Sequence, residues 1–343
     1  MICYFPSGVI ADRFSTRRLM SFSLLATALG GIWFAFIPDQ IGLSLLFGYW
    51  GITNILLFWS AMLRATREWG GKLAQGRAFG ILDGGRGLVS ALAATIAVFF
   101  LAGLLPEKLE NVSAEERKYA MQVVILFYSL LTAGAALLIW FFIPDTKIKE
   151  NVSRPLKGIT AVLKSRVAWL QAIIVVCAYC GYRGLDFYAL YGVEVLGMDE
   201  VSSARFMSNA TYLRAVGAIG AGFIADRLTT KKVIVSTFIL LLLSYFVLLI
   251  FSENEHAVLI VFASLVISIL AVYALRGVYF ALFEETSVPT NITGTTVGLV
   301  SLVGFTPDIF FNSIAGRIID ASPGVAGFRN FYFFLTKYLV FSL

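Results

Sequence analysis

Gly8 to Met20 reads GVIADRFSTRRLM, and Gly222 to Ile234 reads GFIADRLTTKKVI. The two stretches align without a gap: Gly, Ile, Ala, Asp, Arg and Thr keep their places, and a pair of arginines is exchanged for a pair of lysines. A second match follows at nearly the same separation, QGRAFG at Gln75 to Gly80 against TGTTVG at Thr293 to Gly298. Self-similarity of this kind marks an internal repeat. The chain is built from two copies of one unit.

The solvent of that unit is lipid. Of 343 residues, 59% are hydrophobic and only 14% charged, where ordinary soluble domains carry roughly a quarter charged residues. Mean hydropathy is +0.83. Thirty phenylalanines and thirty glycines suit helices that face acyl chains on one side and approach each other closely on the other. The net charge of +6 does not point to nucleic acid, because the basic residues sit in short clusters between apolar runs and not on one solvated face. Cys3, Cys177 and Cys180 are an odd set in apolar surroundings, so no disulfide framework follows. The CxxC spacing of the last two falls inside a membrane helix, and His256 is the single histidine. The sequence offers no metal site, no cofactor site and no catalytic set.

A helix needs about 20 apolar residues to cross the hydrocarbon core. By that measure nine whole spans are expected, at Leu19–Ile37, Ile41–Leu63, Phe79–Leu105, Tyr119–Ile143, Val167–Tyr191, Phe206–Ala225, Val233–Phe251, Ala257–Phe283 and Val297–Ile319. Met1–Ile10 and Phe328–Leu343 are parts of longer helices; the first has neither the basic start nor the small-residue cleavage site of a signal peptide. One set of alternate loops is basic: Arg13, Arg17 and Arg18; Arg64, Arg67, Lys72 and Arg77; Lys147 to Arg166; Arg227, Lys231 and Lys232. The others are acidic or mixed, with Asp39, Glu107–Lys118, Glu194 to Glu200, Glu253 and Glu255. The basic set is cytoplasmic by the positive-inside rule. Both copies of the repeat fall on that side, so the duplication is parallel. The longest basic loop divides the chain into an N-terminal helical half at 1–143, a cytoplasmic linker at 144–166 and a C-terminal helical half at 167–343. The triplet Asn151-Val-Ser153 lies in that inner loop, where it is a chance match to a glycosylation site.

Gly-x-x-Ala-Asp-Arg-x-x-(Ser/Thr)-(Arg/Lys)-(Arg/Lys), present twice, resembles the inner loop between helices two and three, and between eight and nine, of major facilitator superfamily transporters. The resemblance implies an all-α integral membrane fold of two parallel-repeat halves, with about eleven of twelve spans represented. On that template helix one and parts of helices two and twelve are missing. RATREWGGKLAQGRAFGILDGGRG at Arg64–Gly87 and GFTPDIFFNSIAGRIID at Gly304–Asp320 look similar to bacterial nitrate/nitrite-type, sugar-type or organic-anion carriers. The resemblance also makes Asp12, Arg13, Asp226 and Arg227 latch residues. A carboxylate at a helix N-terminus is stabilised by the helix dipole, so Asp12 is expected near the helix start at Thr293 and Asp226 near that at Gly76. The pairs Asp12 with Arg64 and Arg227 with Glu284 are expected beside them. Gly76, Gly80 and Gly84 recur every four residues and form a smooth packing stripe; DGGRG is no phosphate loop, since it lies within a span and lacks the Lys-Ser/Thr that would follow.

Charges inside spans are the sharpest clues to a site, because each costs at least about 2.5–3.5 kcal/mol at the bilayer centre unless a partner or a cavity receives it. They are Asp83, Arg86, Arg183, Asp186, Arg214, Arg276 and Asp308. Asp83 with Arg86 and Asp186 with Arg183 stand at (i, i+3) spacing and would neutralise each other, leaving an excess of arginine. Arg183, in AYCGYRGLDFYALY, resembles the seventh-helix arginine with which organophosphate-type relatives grip an anion, and a guanidinium fork matches carboxylate or phosphate. Arg183, Arg276, Tyr182 and Asp186 are therefore the expected substrate contacts, and Asp83, Arg86 and Asp308 the candidates for ion coupling. The expectation is a monomeric secondary transporter of the bacterial cytoplasmic or inner membrane that moves a small anion by alternating access. The alternatives are a neutral-sugar or drug carrier of the same fold, a transport-inactive membrane sensor, or a truncated remnant.

Overall fold

In the computed structural model, residues 1–104, 113–145, 155–252 and 255–342 are described. Part of the central linker, including Lys147, Lys149, Asn151 and Arg154, and part of the loop from Glu107 to Lys118 lie outside them, as does Glu253. Among the described residues, eight helices are long and apolar enough to cross a membrane.

The helices are α1 (Tyr4–Arg13), α2 (Thr16–Ala35), α3 (Gln40–Gly70), α4 (Gln75–Leu104), α5 (Ala114–Phe142), α6 (Pro155–Lys164), α7 (Arg166–Glu194), α8 (Glu200–Ala210), α9 (Leu213–Arg227), α10 (Thr230–Phe251), α11 (Val258–Val278), α12 (Leu282–Glu285), α13 (Thr293–Gly304), α14 (Pro307–Asp320) and α15 (Val325–Ser342). Their starts follow local chemistry. Ser15 caps α2 and Thr229 caps α10 by accepting from Arg18 N and Lys232 N, so the Ser/Thr of each repeat copy satisfies an orphan helix donor. Asp39, Ser165 and Asp199 cap α3, α7 and α8 in the same way. Ser113 and Glu116 form a capping box at α5.

Four of the expected spans are interrupted, Ala257–Phe283 by a turn at Tyr279–Ala281 next to Arg276. Phe206–Ala225 is two helices, because the polar α8, which carries Ser202, Ser203, Arg205, Ser208 and Asn209, turns at Thr211–Tyr212 before the apolar α9 begins. Val167–Tyr191 contains a tight 3₁₀ turn at Leu185–Phe187. Val297–Ile319 breaks between Gly304 and Pro307, where proline supplies no N–H and Thr306 N closes a short turn on Val303 O at 3.1 Å. Each break falls next to an intramembrane charge: Arg276, Arg214, Arg183 with Asp186, and Asp308. The middle of α3, Gly51–Trp59, is wider than an α-helix; such π-helical stretches gather at functional sites.

The chain forms two compact units. The first comprises Met1–Ala65, Val89–Lys164 and Pro289–Leu299. Its α2 and α5 lie side by side, with Ser21 Oγ donating to Ala136 O at 2.9 Å and Gln122 Nε2 to Ala35 O at 2.8 Å. The widened part of α3 and the residue before it are tied to α2 through Ser23 Oγ to Thr53 O at 2.6 Å and Trp50 Nε1 to Thr27 O at 3.2 Å. Asp145 accepts from Ser15, and from Arg17 and Arg18 at 3.0 and 3.1 Å. The Ser15 hydroxyl, helped by the two guanidiniums, holds its carboxyl below the usual carboxylate range.

The second unit comprises Thr66–Leu88, Ser165–Val288 and Val300–Leu343. Its core is aromatic. Tyr188, Tyr191, Tyr245 and Tyr332 are fully buried, with Tyr188 hydrogen-bonded to Ser268 and Tyr191 to Ser252, each at 2.7 Å. Cys177 and Cys180 are free thiols buried in α7. The glycine stripe of α4 lies against α9: a Cβ on Gly80 would come 2.5 Å from Ala218 O, and one on Gly84 2.7 Å from Ile219 Cγ1. Close approach of the two backbones therefore requires glycine. Gly80→Leu is expected to lower stability by about 1–3 kcal/mol or more through overpacking, read as the apparent melting temperature in detergent. Gly85→Ala, at a position where a Cβ meets nothing within 4 Å, serves as the unperturbed control.

Candidate functional site

Two kinds of polar site follow from these elements. The first is built on the repeats. In the first unit Asp12 ends α1 and is 5% exposed. It accepts from Gly294 N and Thr295 N at 2.7 Å each and from Thr295 Oγ1 at 2.6 Å, all at the start of α13. Gly8 and Gly294 permit that approach, since a Cβ on either would strike the other's carbonyl oxygen. In the second unit Asp226 ends α9 and accepts from Gly76 N at 2.7 Å and Arg77 N at 3.2 Å, with the Arg77 guanidinium at 3.3 Å. Gly76 and Gly222 are the equivalent close pair. Both carboxylates thus occupy the positive end of a helix, the placement expected from the repeat.

Of the flanking pairs, Arg64 acts electrostatically on Asp12 as expected, whereas Glu284 has another partner. Arg64 donates to the carbonyl of Ala11, next to Asp12. Glu284 pairs with Arg67 at 3.0 Å and not with Arg227. Arg67 is 4% exposed, also donates to Val288 O at 2.6 Å and lies over Phe283. A buried guanidinium needs several acceptors, and Glu284 of α12 together with the Val288 carbonyl just beyond it provides them. Arg67 looked like an ordinary orienting charge in its basic loop. Its neighbour Gln75, which donates to Arg67 O at 2.8 Å, was equally silent. Arg13 and Arg227 follow the two aspartates at the mouths of α1 and α9.

The second kind lies in the membrane-spanning part of the second unit. Asp83, on α4, accepts from Arg214 of α9 through Nε at 3.1 Å and Nη2 at 2.6 Å. Arg276 of α11 stands 3.7 Å from the same carboxylate, and Arg86 also acts on it electrostatically. The expected electrostatic pairing of Asp83 with Arg86 is present, and a bond between helices is added to it: Arg214 presents its fork to Asp83 from α9, which the spacing within α4 could not reveal. Arg276 lies face-on to Tyr182, 3.9 Å from the ring centre, and its Nε and Nη1 are buried without a hydrogen-bond acceptor. Tyr182 is backed by Tyr179 at 5.4 Å and Tyr273 at 6.5 Å between ring centres.

Arg183 is engaged by carboxylates. Its Nη1 donates to Asp186 at 3.2 Å, as the (i, i+3) spacing anticipates, and its Nε donates to Asp308 at 2.7 Å. Nη2 also reaches Asp308. Tyr179 donates to Asp308 at 2.9 Å and Asn312 to Asp186 at 3.3 Å. The membrane charges therefore form two groups. Arg86, Arg214 and Arg276 surround one carboxylate, while Arg183 is shared by two. Among the described residues, no three His, Cys, Asp or Glu side chains gather as metal ligands would.

Broken helices carrying paired charges, joined by a twofold sequence repeat, define a polytopic carrier. The sequence matches the family model of the Major Facilitator Superfamily over residues 1–320, and the chain belongs to that superfamily. It is 29% identical to the inner membrane protein YqcE of Escherichia coli K12, over 97% of this chain and 78% of that protein. It is 24% identical to the probable nitrate/nitrite antiporter NarK1 of Thermus thermophilus, over 71% of this chain and 54% of that protein. The structure of the E. coli fucose:proton symporter FucP in the outward conformation superposes with a TM-score of 0.76 at 16% identity, covering 100% of this chain and 86% of the other. The chain is thus a multi-pass inner membrane protein with a transporter fold, of a superfamily whose members carry small-molecule solutes.

Proposed function

We propose that this transporter carries a small oxyanion by alternating access, its two sequence halves, 1–143 and 167–343, moving about a site that contains Arg276 and Tyr182. The observation that carries the reading is the state of Arg276. Two of its nitrogens are buried without an acceptor, although each unmet donor costs about 1–3 kcal/mol, and three arginines share the single carboxylate of Asp83. An oxyanion supplies the missing acceptors. Tyr182 holds the guanidinium plane from below, which leaves the edge of the fork for the ligand. Arg183 and Asp186, already bonded to each other and to Asp308 and Asn312, form the adjoining wall. Asp308 is the more accessible carboxylate for coupling, with a side chain 31% exposed against 10% for Asp83. Asp12 and Asp226 act as latches on the basic side. NarK1, named as a nitrate/nitrite antiporter, is consistent with an anionic cargo.

A neutral sugar is the second reading, favoured by the aromatic wall of Tyr179, Tyr182 and Tyr273 and by the FucP fold. Thermal stabilisation of the detergent-solubilised protein by nitrate, inorganic phosphate, acetate and gluconate, set against neutral hexoses, separates the two. A ligand at a hundred times its Kd adds about 2.7 kcal/mol. The anions are expected to stabilise the wild type and to lose that effect in Arg276→Gln; stabilisation by hexoses alone supports the sugar carrier. Accumulation of the stabilising solute in proteoliposomes then distinguishes a carrier from a sensor.

A further inference from the structure

We propose that Asp83 is an affinity-setting counter-ion: an anion fixed to the protein that competes with the cargo for Arg276 and keeps cargo binding weak enough for release. The inference rests on the anion reading above and assigns Asp83 a part other than proton carriage.

The geometry shows an occupied anion position and an unfilled one sharing a carboxylate. Asp83 is bound on both oxygens by Arg214, in the bidentate manner in which arginine binds a carboxylate. The same Oδ1 faces Arg276 Nη2 at 3.7 Å, beyond hydrogen-bond length but close enough to offset much of its charge. Nε and Nη1 of Arg276 remain without acceptors. Asp83 therefore lowers the electrostatic attraction of Arg276 for an incoming anion without satisfying its donors. Its placement is fixed by packing: the glycines at 80, 84 and 87 seat α4 on α9, and a Cβ at Gly87 would meet Arg214 Cδ at 2.5 Å. On the other side of α9, a Cβ at Gly217 would meet Leu270 O of α11 at 2.8 Å, so Asp83 cannot move far from Arg276 while α4, α9 and α11 stay in contact.

A carrier needs such a device. Without that carboxylate, Arg214 and Arg276 in a low-dielectric site would hold an oxyanion tightly, and a ligand that cannot leave is not transported; passage requires binding favourable enough for entry and weak enough for exit. A carboxylate resembles an oxyanion cargo in charge and in the geometry of its oxygens. One tethered beside Arg276 lowers affinity for that class of ligand more than for a neutral one.

The test compares the wild type with Asp83→Asn and Asp83→Ser, each retaining an oxygen acceptor for Arg214. Acetate, nitrate and inorganic phosphate are titrated by thermal stabilisation at matched ionic strength, and exchange of the stabilising anion is followed in proteoliposomes. The variants are expected to bind the anion at least about tenfold more tightly while exchanging it more slowly, and to depend on it for stability during purification. Equal or weaker binding by a variant that folds overturns the proposal. Should neither variant fold even with anion present, infrared difference spectra of the wild type decide: nitrate binding must shift a carboxylate stretch, and an unchanged carboxylate region overturns it. If no anion stabilises the wild type or either variant, the anion reading itself fails, an outcome distinct from anion binding that is indifferent to Asp83.

Discussion

Arg214→Gln is expected to destabilise the protein by about 3–5 kcal/mol, the cost of removing one partner from a buried ion pair. The side chains of Arg214 and Asp83 are 15% and 10% exposed, so solvent replaces little of what is lost. Glutamine reaches one carboxylate oxygen as a neutral donor. The two charge-assisted bonds at 3.1 and 2.6 Å disappear, and Asp83 is left with Arg276 at 3.7 Å as its nearest charge. The apparent melting temperature in detergent and the yield of monodisperse protein report the loss. A double variant, Arg214→Met with Asp83→Leu, sharpens the result. Replacing a buried pair by apolar residues of similar volume is often neutral or stabilising, but Asp83 also offsets Arg276, so the double variant should recover only part of the loss, gain further stability from added anion, and lose transport. Equal stability of Arg214→Gln and wild type would show that the pair contributes nothing to the fold.

Asp12→Asn is expected to reduce transport about tenfold or more. Its carboxylate accepts from three donors at the start of α13. An asparagine oxygen can serve one or two of them, while its amide group turns a donor towards donors. Each buried donor left unmet costs about 1–3 kcal/mol, and a shift of 1.4 kcal/mol alone changes an equilibrium about tenfold. In the latch role proposed above, a contact that forms in one state and releases in another therefore becomes unbalanced. Asp226→Asn should act in the same direction but less strongly: one of its backbone partners, Arg77 N, is solvent-exposed, and the Asp226 side chain is itself 15% exposed. Initial uptake rates in proteoliposomes, at matched protein content, check both. Unchanged uptake by Asp12→Asn removes the latch role.

Contrast between the repeat and the membrane charges shows where sequence reading was effective. Asp12 and Asp226 could be placed because two copies of one motif carry two copies of one environment: a helix end, a carboxylate, and a glycine-bearing helix start to receive it. Gly8 against Gly294 and Gly76 against Gly222 follow the same rule, since only a residue without a Cβ lets such backbones meet. Arg183 with Asp186 was legible because (i, i+3) neighbours share a helix face.

The same reasoning found Arg86 beside Asp83 but missed the residue that hydrogen-bonds it, and it misassigned Glu284 to Arg227. In each case the partner belongs to a helix distant in sequence, Arg214 for Asp83 and Arg67 for Glu284. Within a span the cost of a charge can be read from composition alone, but the identity of the group that offsets it depends on which helices touch and in what rotation. Asp308 was visible as an intramembrane carboxylate; that it takes up Arg183, the arginine first assigned to the substrate, was not.

The sequence by itself determined the membrane solvent, the parallel duplication, the superfamily and the seat of both repeat carboxylates, because hydropathy, span length and repeated motifs are local quantities. Only the tertiary structure decided which arginine is neutralised and which is left short of acceptors. That depends on guanidiniums from α9 and α11 converging on one carboxylate of α4, and on a ring of α7 that covers Arg276. Hydrogen bonding is short-ranged and directional, so its partners are fixed by helix packing and not by order along the chain.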